Sequence, residues 1–284
     1  MIGALGAVVS PPPSLFDAMV LGLVEGVTEF LPISSTGHLI VAQRLLGHAA
    51  GGDNNVFAIG IQMGAITAIL VLYWRRLFAA LRTAARPTAG APNLLWQIAI
   101  AAFPAAFLGL LCDDWIDQNL FSARVVAATL LLGGVLLLWL EALLRRRGGG
   151  AGGELAQMSY RTALWIGLFQ CLALVPGTSR AGATIAGALL LGLSRTAAAE
   201  FSFLVGLPIL YGASLYKLAS RPELLTGEAM PSFAVGTLVS FLSALVVVRP
   251  FVLFLRQHTF APFAWYRIGA GLLLALLCAS GYLA

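Results

Sequence analysis

Two acidic side chains stand inside an otherwise apolar stretch near the start of the chain. Glu25 and Glu29 are four residues apart in GLVEGVTEFLP, a spacing that places both on one face of a helix. Two carboxylates this close disfavour joint ionisation unless they share a proton or hold a cation. The pair therefore predicts a divalent metal site with Glu25 and Glu29 as oxygen ligands, or a shared proton. A helix-capping or headgroup-facing role is the alternative, which their depth disfavours because a carboxylate inside a bilayer is costly.

Hydroxyl and imidazole groups follow at once in SSTGH, residues 34–38. Ser35 and His38 are three residues apart, so within one helical turn the imidazole could reach the hydroxyl and activate it as a nucleophile. Alternatively His38 protonates the leaving group. Ser34 and Thr36 are predicted to contact the substrate. A purely structural alternative is that Ser34 or Ser35 caps the helix that follows.

A second polar segment, VPGTSRAGAT at residues 175–184, interrupts another apolar region. Arg180 is the only arginine that the pattern places in the middle of an apolar region, and its guanidinium can hold two phosphate oxygens at once. Small neighbours let backbone N–H groups approach an anion at a helix N-terminus. A structural ion pair with Glu25 or Glu29 is the alternative. The other residues predicted to bind phosphate here are Gly177, Thr178, Ser179, Gly182 and Thr184.

The composition is that of a membrane protein. Of the 284 residues, 60% are hydrophobic and 10% are charged, whereas soluble domains carry about 25% charged residues. The net charge of +5 does not indicate nucleic-acid binding, because the basic residues lie between apolar runs, where they set topology. No lysine or arginine precedes the first apolar stretch, which argues against a cleaved signal peptide.

The hydropathy pattern predicts eight membrane elements. Two apolar regions, 15–47 and 162–193, are interrupted by Pro, Gly, Ser and Thr, so each should form two half-helices joined by a polar loop. Irregular backbone at membrane depth is tolerated only where it is buried in protein or lines a cavity, and both regions are therefore predicted to be re-entrant hairpins. The six uninterrupted runs, each long enough to cross a bilayer, are 57–74, 94–111, 121–144, 201–218, 232–248 and 263–283.

Loop charges predict the orientation of these elements. Arginine clusters follow the first and third spans, and an acidic segment with Asp113 and Asp117 lies between them. The positive-inside bias then places the arginine clusters in the cytoplasm, the acidic segment outside, and both chain ends outside. The clustered arginines are Arg75, Arg76, Arg82 and Arg86, then Arg145, Arg146, Arg147 and Arg161.

The two interrupted regions resemble each other in sequence. GLVEGVTEFLPISSTGH (22–38) and GLFQCLALVPGTSRAG (167–182) share their order of Gly-Leu, Pro, Ser/Thr and Gly. Each is followed by three spans, so the second copy must be inverted relative to the first, an arrangement that places sites near the midplane. The predicted fold is an all-α polytopic integral membrane protein, one membrane domain over residues 1–284, with inverted repeats at 14–144 and 160–284. Residues near Ser35 and Arg180 should then meet in space.

Polar residues outside these segments receive structural assignments. Gln62 and Gln170 lie within apolar runs and are predicted to line the cavity or to bridge helices. Glu141 and Glu200 lie near span ends and are predicted to face lipid headgroups.

At these motifs the chain resembles the undecaprenyl-diphosphate phosphatase family, also called the bacitracin-resistance family. The segments that carry the resemblance are EGVTEFLPISSTGH (25–38) and PGTSRAGATIAG (176–187), with weaker agreement in AIGIQMGAI (58–66) and FSFLVGLP (201–208). The resemblance covers nearly the whole chain. It departs at Ala181, where many members have a second serine, so that hydroxyl is absent here.

The resemblance implies a substrate and a location. It implies hydrolysis of undecaprenyl diphosphate to the monophosphate carrier lipid by a multi-pass protein of the bacterial inner membrane, with the active site toward the periplasm. A divalent cation, Mg²⁺ or Ca²⁺, would assist without an organic cofactor. The implied catalytic residues are Glu25, Glu29, Ser35, His38 and Arg180. The sequence leaves open whether Ser35 or a water molecule attacks the phosphorus, with serine slightly favoured.

Two other functions compete with this interpretation. A transporter or lipid flippase would also use inverted repeats with broken helices, but it needs no nucleophile and base. The other type of membrane lipid phosphatase needs a second histidine soon after its arginine, and the residues after Arg180, AGATIAGALLLGL, contain none. The expected partners are the polyprenyl diphosphate and membrane lipids, without nucleic acid, and a homodimer is left open.

Overall fold

The computed structural model describes residues 12–48, 52–84, 92–147 and 152–282. These residues are helical, with ten α-helices and three 3₁₀ turns. Residues 1–11, on which the signal-peptide expectation rests, and Arg86 lie outside the described residues. The helices are α1 (Leu15–Thr28), α2 (Ser35–Leu45), α3 (Gly52–Ala84), α4 (Leu94–Asn119), α5 (Ala123–Arg146), α6 (Tyr160–Gln170), α7 (Arg180–Leu190), α8 (Arg195–Ala219), α9 (Ala229–Leu255) and α10 (Ala261–Ala279).

Six of these helices, α3, α4, α5, α8, α9 and α10, are long and apolar enough to cross a membrane. Their outward faces expose large apolar side chains such as Phe103, Leu132 and Val246, which suits lipid and would be a liability in water. The chain is therefore a multi-pass membrane protein. The prediction of an all-helical fold with six apolar spans is confirmed.

The long helices extend beyond the apolar runs that predicted them. Helix α3 continues to Ala84, so Arg75, Arg76 and Arg82 lie on a helix rather than in a loop. Asp113 and Asp117 likewise lie inside α4. Because Arg, Ala and Leu are strong helix formers, the helices continue beyond the apolar runs, and their charged residues remain helical.

The two interrupted regions form two pairs of short helices, α1 with α2 and α6 with α7. The first loop comprises residues 29–34, and the second loop comprises residues 175–179, after a 3₁₀ turn at Cys171–Leu174. Each loop ends on a serine with φ of 71°, Ser34 or Ser179. The Ser34 hydroxyl accepts a hydrogen bond from the N–H of Gly37, and the Ser179 hydroxyl from that of Gly182. Each serine thus caps the helix that follows.

Glycine brings α1 and α6 close to long helices. A Cβ added at Gly22 of α1 would lie 2.4 Å from the carbonyl oxygen of Gly236 on α9. A Cβ at Gly167 of α6 would lie 2.4 Å from the carbonyl oxygen of Ala101 on α4. Small residues allow such backbone approach between membrane helices, and here they fix α1 against α9 and α6 against α4.

Helices α7 and α8 contribute many residues to the largest buried hydrophobic cluster. Phe201, Phe203 and Leu204 of α8 are fully buried there, as is Ile185 of α7. Most residues of α7 are therefore buried, although the helix has only 11 residues.

Glu141 is buried, so the prediction that it faces headgroups is wrong. Its carboxylate pairs with both terminal nitrogens of Arg195 on α8 and accepts the backbone N–H of Phe260. A buried carboxylate needs such partners, and these tie α5 to α8 and to the start of α10. Glu200 instead pairs with Arg76 at 2.8 Å in a more exposed place.

Candidate active site

Glu29 connects the two halves of the site. One carboxylate oxygen accepts the Ser35 hydroxyl at 2.6 Å, and the other accepts Nη2 of Arg180 at 2.9 Å. All three side chains are almost entirely buried. The expectation that residues near Ser35 and Arg180 meet in space is confirmed, since both side chains contact Glu29. The ion pair between Arg180 and a glutamate, which was the structural alternative for this arginine, is also present.

Two helix N-termini meet at this point. Ser35 is the first residue of α2 and Arg180 the first residue of α7, so unpaired backbone N–H groups and the positive ends of two helix dipoles converge. Such N-termini are ready anion sites. The residues around them that line one cavity of about 560 Å³ are Glu29, Ser34, Ser35, Thr36, Gly177, Ser179 and Arg180.

Arg180 is held so that part of its guanidinium remains free. Nη1 donates to the carbonyl oxygen of Ser202 at 2.7 Å, while the buried Nε has no partner among the described residues. The close approach to α8 depends on Gly206, where an added Cβ would lie 2.7 Å from the guanidinium. Sequence reasoning did not single out Gly206, and the only signal for it was the weakly matching segment FSFLVGLP.

Glu25 lies behind Glu29, fully buried, with no hydrogen-bond partner for either carboxylate oxygen among the described residues. A carboxylate left without partners in a low-dielectric interior is strongly disfavoured. The described residues contain no cluster of three or more His, Cys, Asp or Glu side chains that could hold a metal. Glu25 and Glu29 are therefore a pair of carboxylates without a third acidic, imidazole or thiol ligand beside them in the described part of the chain.

His38 does not hydrogen-bond to the Ser35 hydroxyl. Nδ1 lies 2.7 Å from the carbonyl oxygen of Ser34, and Nε2 lies 2.6 Å from the hydroxyl of Tyr266. The imidazole also stacks on the Tyr266 ring, with the centroids 5.5 Å apart. The hydrogen-bonded partner of the serine is thus Glu29, and the imidazole is oriented toward α10.

Three of the residues predicted to bind phosphate lie behind the cavity wall. The hydroxyl oxygen of Thr184 lies within hydrogen-bond distance of Arg180 O, at 2.9 Å, and of Ser202 Oγ, at 2.7 Å, so it braces the start of α7. Thr178 and Gly182 are likewise not among the cavity-lining residues. The part of the second loop that faces the cavity is Pro176, Gly177 and Ser179.

Arg267 was missed by the sequence interpretation, which counted Arg180 as the only arginine inside an apolar region. The structure buries Arg267 to 1% exposure, on α10 behind both loops. Its guanidinium donates to backbone carbonyl oxygens of both loops and of α5.

The rest of the cavity is mostly apolar. Gln62 and Gln170 line it, as predicted, and Gln170 also donates to Ala101 O at 3.3 Å. At the far end, Lys217 of α8 pairs with Asp113 and Asp117 of α4 at 2.7 and 2.6 Å. A polar site at one end and apolar walls suit a lipid with a charged head.

Known proteins have sequences similar to this chain. The family model described as "Bacitracin resistance protein BacA" matches residues 18–273. An undecaprenyl-diphosphatase of Parvibaculum lavamentivorans is 48% identical over 264 residues, which cover 93% of this chain and 97% of that protein. An undecaprenyl-diphosphatase of Lacticaseibacillus paracasei is 41% identical over 271 residues, covering 93% of this chain and 98% of that protein. The chain belongs to the bacitracin resistance protein BacA family.

Proposed function

We propose that this protein hydrolyses undecaprenyl diphosphate to undecaprenyl phosphate and inorganic phosphate, which recycles the carrier lipid of cell-wall synthesis. The observation that carries the proposal is the position of Glu29, which accepts hydrogen bonds from both Ser35 and Arg180. A nucleophile, a base and an anion-binding group are thereby within direct contact at the end of a cavity with apolar walls.

Glu29 is the proposed base for the serine. The Ser35 oxygen attacks the terminal phosphorus while its proton passes to Glu29, 2.6 Å away. The bond between that phosphorus and the bridging oxygen breaks, and undecaprenyl phosphate leaves. Water then cleaves the phosphoserine, which releases inorganic phosphate and restores the hydroxyl. Direct attack by a water molecule that Glu29 activates is the alternative.

Arg180 is the proposed phosphate ligand. Its Nε has no partner in the described structure, and its two terminal nitrogens can each donate a further N–H. When Glu29 takes the serine proton, it loses the charge that pairs with Arg180. The guanidinium is then free to balance charge on the transferred phosphoryl group, where electrostatic stabilisation contributes most.

The residues fit a divalent cation. Mg²⁺ in phosphate-handling sites is held by one or two carboxylates, with substrate phosphates and water as the other ligands. Glu25 is not among the cavity-lining residues, but it offers a carboxylate without a hydrogen-bond partner in the described part of the chain. Glu29, which lines the cavity, lies one helical turn away. These two residues would hold the ion, Mg²⁺ or Ca²⁺, which would supply positive charge next to the phosphate.

The proposed architecture has the two loops as the tips of re-entrant hairpins in an inverted repeat. Two observations support it. Both loops end on a serine with φ of 71° that caps the next helix. Each short helix also packs against the opposite half. Helix α1 of the first half lies against α9 of the second, and its counterpart α6 lies against α4, which is the counterpart of α9.

The proposed location is the bacterial inner membrane, with the site toward the periplasm. Asp113, Asp117 and Lys217 stand at one end of the cavity, and Lys217 is about 22 Å along α8 from Ser202 at 1.5 Å per residue. Arg75, Arg76 and Arg82 lie at the C-terminal end of α3, while Arg145 and Arg146 end α5. The positive-inside bias assigns the arginine-rich ends to the cytoplasm. The end of the cavity with Asp113, Asp117 and Lys217 then lies toward the periplasm, and the cavity opens there.

Phosphate release by the purified protein in detergent micelles tests the proposal. A detergent micelle does not separate two compartments, so a transporter or flippase would release no inorganic phosphate there. We expect inorganic phosphate to appear in proportion to the polyprenyl diphosphate consumed, and to appear at least about a hundredfold more slowly with a Glu29→Gln variant. Glu200→Gln, which removes a carboxylate from a distant ion pair, is the matched control and should retain wild-type rates. The absence of phosphate release by the folded wild-type protein would reject the enzymatic function.

A further inference from the structure

Arg267 holds both loops through backbone carbonyl groups. Its Nη1 donates to Pro32 O of the first loop at 3.2 Å and to Thr178 O of the second loop at 2.9 Å. One nitrogen atom therefore joins the segment before Ser35 to the segment before Arg180. We propose that Arg267 is a positioning residue that sets the separation of the two loops, and hence the alignment of Ser35 and Glu29 with Arg180. The proposal rests on the phosphatase function given above.

The remaining donors of Arg267 anchor this bridge to α5. Nη2 donates to Gly177 O at 3.2 Å and to Thr129 O at 3.0 Å, and Nε lies 3.5 Å from Leu130 O. A guanidinium has five N–H donors, and five backbone carbonyl oxygens accept them here. The side chain is therefore fully committed to protein. It is also not among the cavity-lining residues, so phosphate binding falls to Arg180.

The lack of an acidic partner supports this assignment. Within the described part of the chain, Arg267 forms no salt bridge, whereas Arg180 and Arg195 each pair with a glutamate. A buried charge is retained only where hydrogen bonds satisfy it. Here the acceptors are main-chain oxygens of both loops and α5, so the contact fixes backbone positions rather than another side chain.

Small shifts of either loop should be costly for catalysis. Thr178 lies two residues before Arg180, and Pro32 lies three residues before Ser35, so the bridge acts close to both groups. A misplacement of reacting groups by about 1 Å can cost about a hundredfold in rate. Loss of the bridge should thus lower kcat more than it raises KM, because the phosphate ligand itself remains.

Two variants remove the bridge in different ways. Arg267→Lys keeps the charge but concentrates three donors on one nitrogen, so it cannot reach all five carbonyl oxygens. Gly133→Ala keeps the arginine, but the added Cβ would lie 2.1 Å from Nη2 and must displace the guanidinium. Gly269→Ala on α10 is the matched control, since its Cβ would meet none of the described residues within 4 Å.

The measurements are kcat, KM and the thermal midpoint of each purified variant. We expect kcat to fall at least tenfold in Arg267→Lys and Gly133→Ala, with KM changed less than threefold and Gly269→Ala near wild type. A residue with only a structural role would lower the thermal midpoint and leave kcat per folded molecule unchanged.

Wild-type kcat in either folded variant would overturn the proposal, as would a loss confined to KM. If both variants fail to fold, Arg267 belongs to the fold rather than to the site, and the proposal is equally rejected. These outcomes differ from a failure of the phosphatase function, in which the folded wild-type protein would itself release no phosphate.

Discussion

The first and second loops share a backbone arrangement, but the side chains beside them carry opposite charges. Each ends on a serine with φ of 71° whose hydroxyl caps the following helix. The first loop region carries Glu25, Glu29 and the Ser35 hydroxyl, whereas the second carries Arg180 and no acidic residue. The backbone thus supplies two anion-attracting helix ends, and the side chains decide which loop performs proton transfer and which balances charge.

The largest expected effect comes from the ion pair that joins the two loops. Arg180→Ala and Glu29→Gln should each lower kcat/KM by at least about a hundredfold, as the loss of a charged transition-state contact does. Because the two side chains are in contact, the double variant should lose far less than the product of the two losses. Full activity in either single variant, measured by phosphate release, would break the assignment of roles to the two loops.

Ser35 tests whether the first loop supplies the nucleophile. Ser35→Ala should lower kcat by about a hundredfold, in line with the loss of an activated nucleophile. Ser280→Ala, which removes an exposed hydroxyl at the end of α10, is the control. Retained activity in Ser35→Ala would assign the attack to water, and it would leave Glu29 as the contribution of the first loop.

Gly206 tests how closely the second loop must approach α8. The Cβ of Gly206→Ala would meet the Arg180 guanidinium at 2.7 Å, and a displaced phosphate ligand should lower kcat/KM by about tenfold. Gly212→Ala, on the same helix, should be close to wild type, because its Cβ would lie more than 4 Å from every neighbouring side chain and backbone atom that the structure describes. Equal rates in the two variants would show that the position of Arg180 tolerates this shift.

The smallest effect is expected at the two caps. Ser34→Ala and Ser179→Ala should each lower the free energy of unfolding by about 1 kcal/mol, the usual cost of a lost N-cap. The measurement is an unfolding titration of each variant in mixed micelles. Clearly unequal losses would show that the two loops have the same backbone shape, but that their caps contribute differently to the free energy of unfolding.

Much of this site follows from sequence because polar residues inside apolar regions have few roles. Pro32 and Pro176 locate the breaks between half-helices, and the charges of Glu29 and Arg180 identify the two sides of the site. The imidazole of His38 could not be oriented from sequence, since its partner Tyr266 is 228 residues away. A helical spacing of three residues made Ser35 the expected partner instead.

Arg267 escaped prediction for a related physical reason. It stands near the start of the last apolar run beside Trp265 and Tyr266, where arginines commonly reach toward lipid headgroups. Its acceptors are backbone carbonyl oxygens from three separate segments, and a carbonyl oxygen has no signature in the sequence. Glu141 shows the same limit, because its burial depends on Arg195 and on the N–H of Phe260.

The dimensions of the cavity have a consequence for substrate selectivity. A volume of about 560 Å³ is typical of pockets that enclose a drug-sized molecule, and a long polyprenyl chain with its diphosphate is much larger. Only the head group and the first isoprene units can therefore be enclosed, while the rest of the tail stays in the bilayer. Discrimination among prenyl chain lengths should then arise from partitioning into lipid rather than from recognition by the protein.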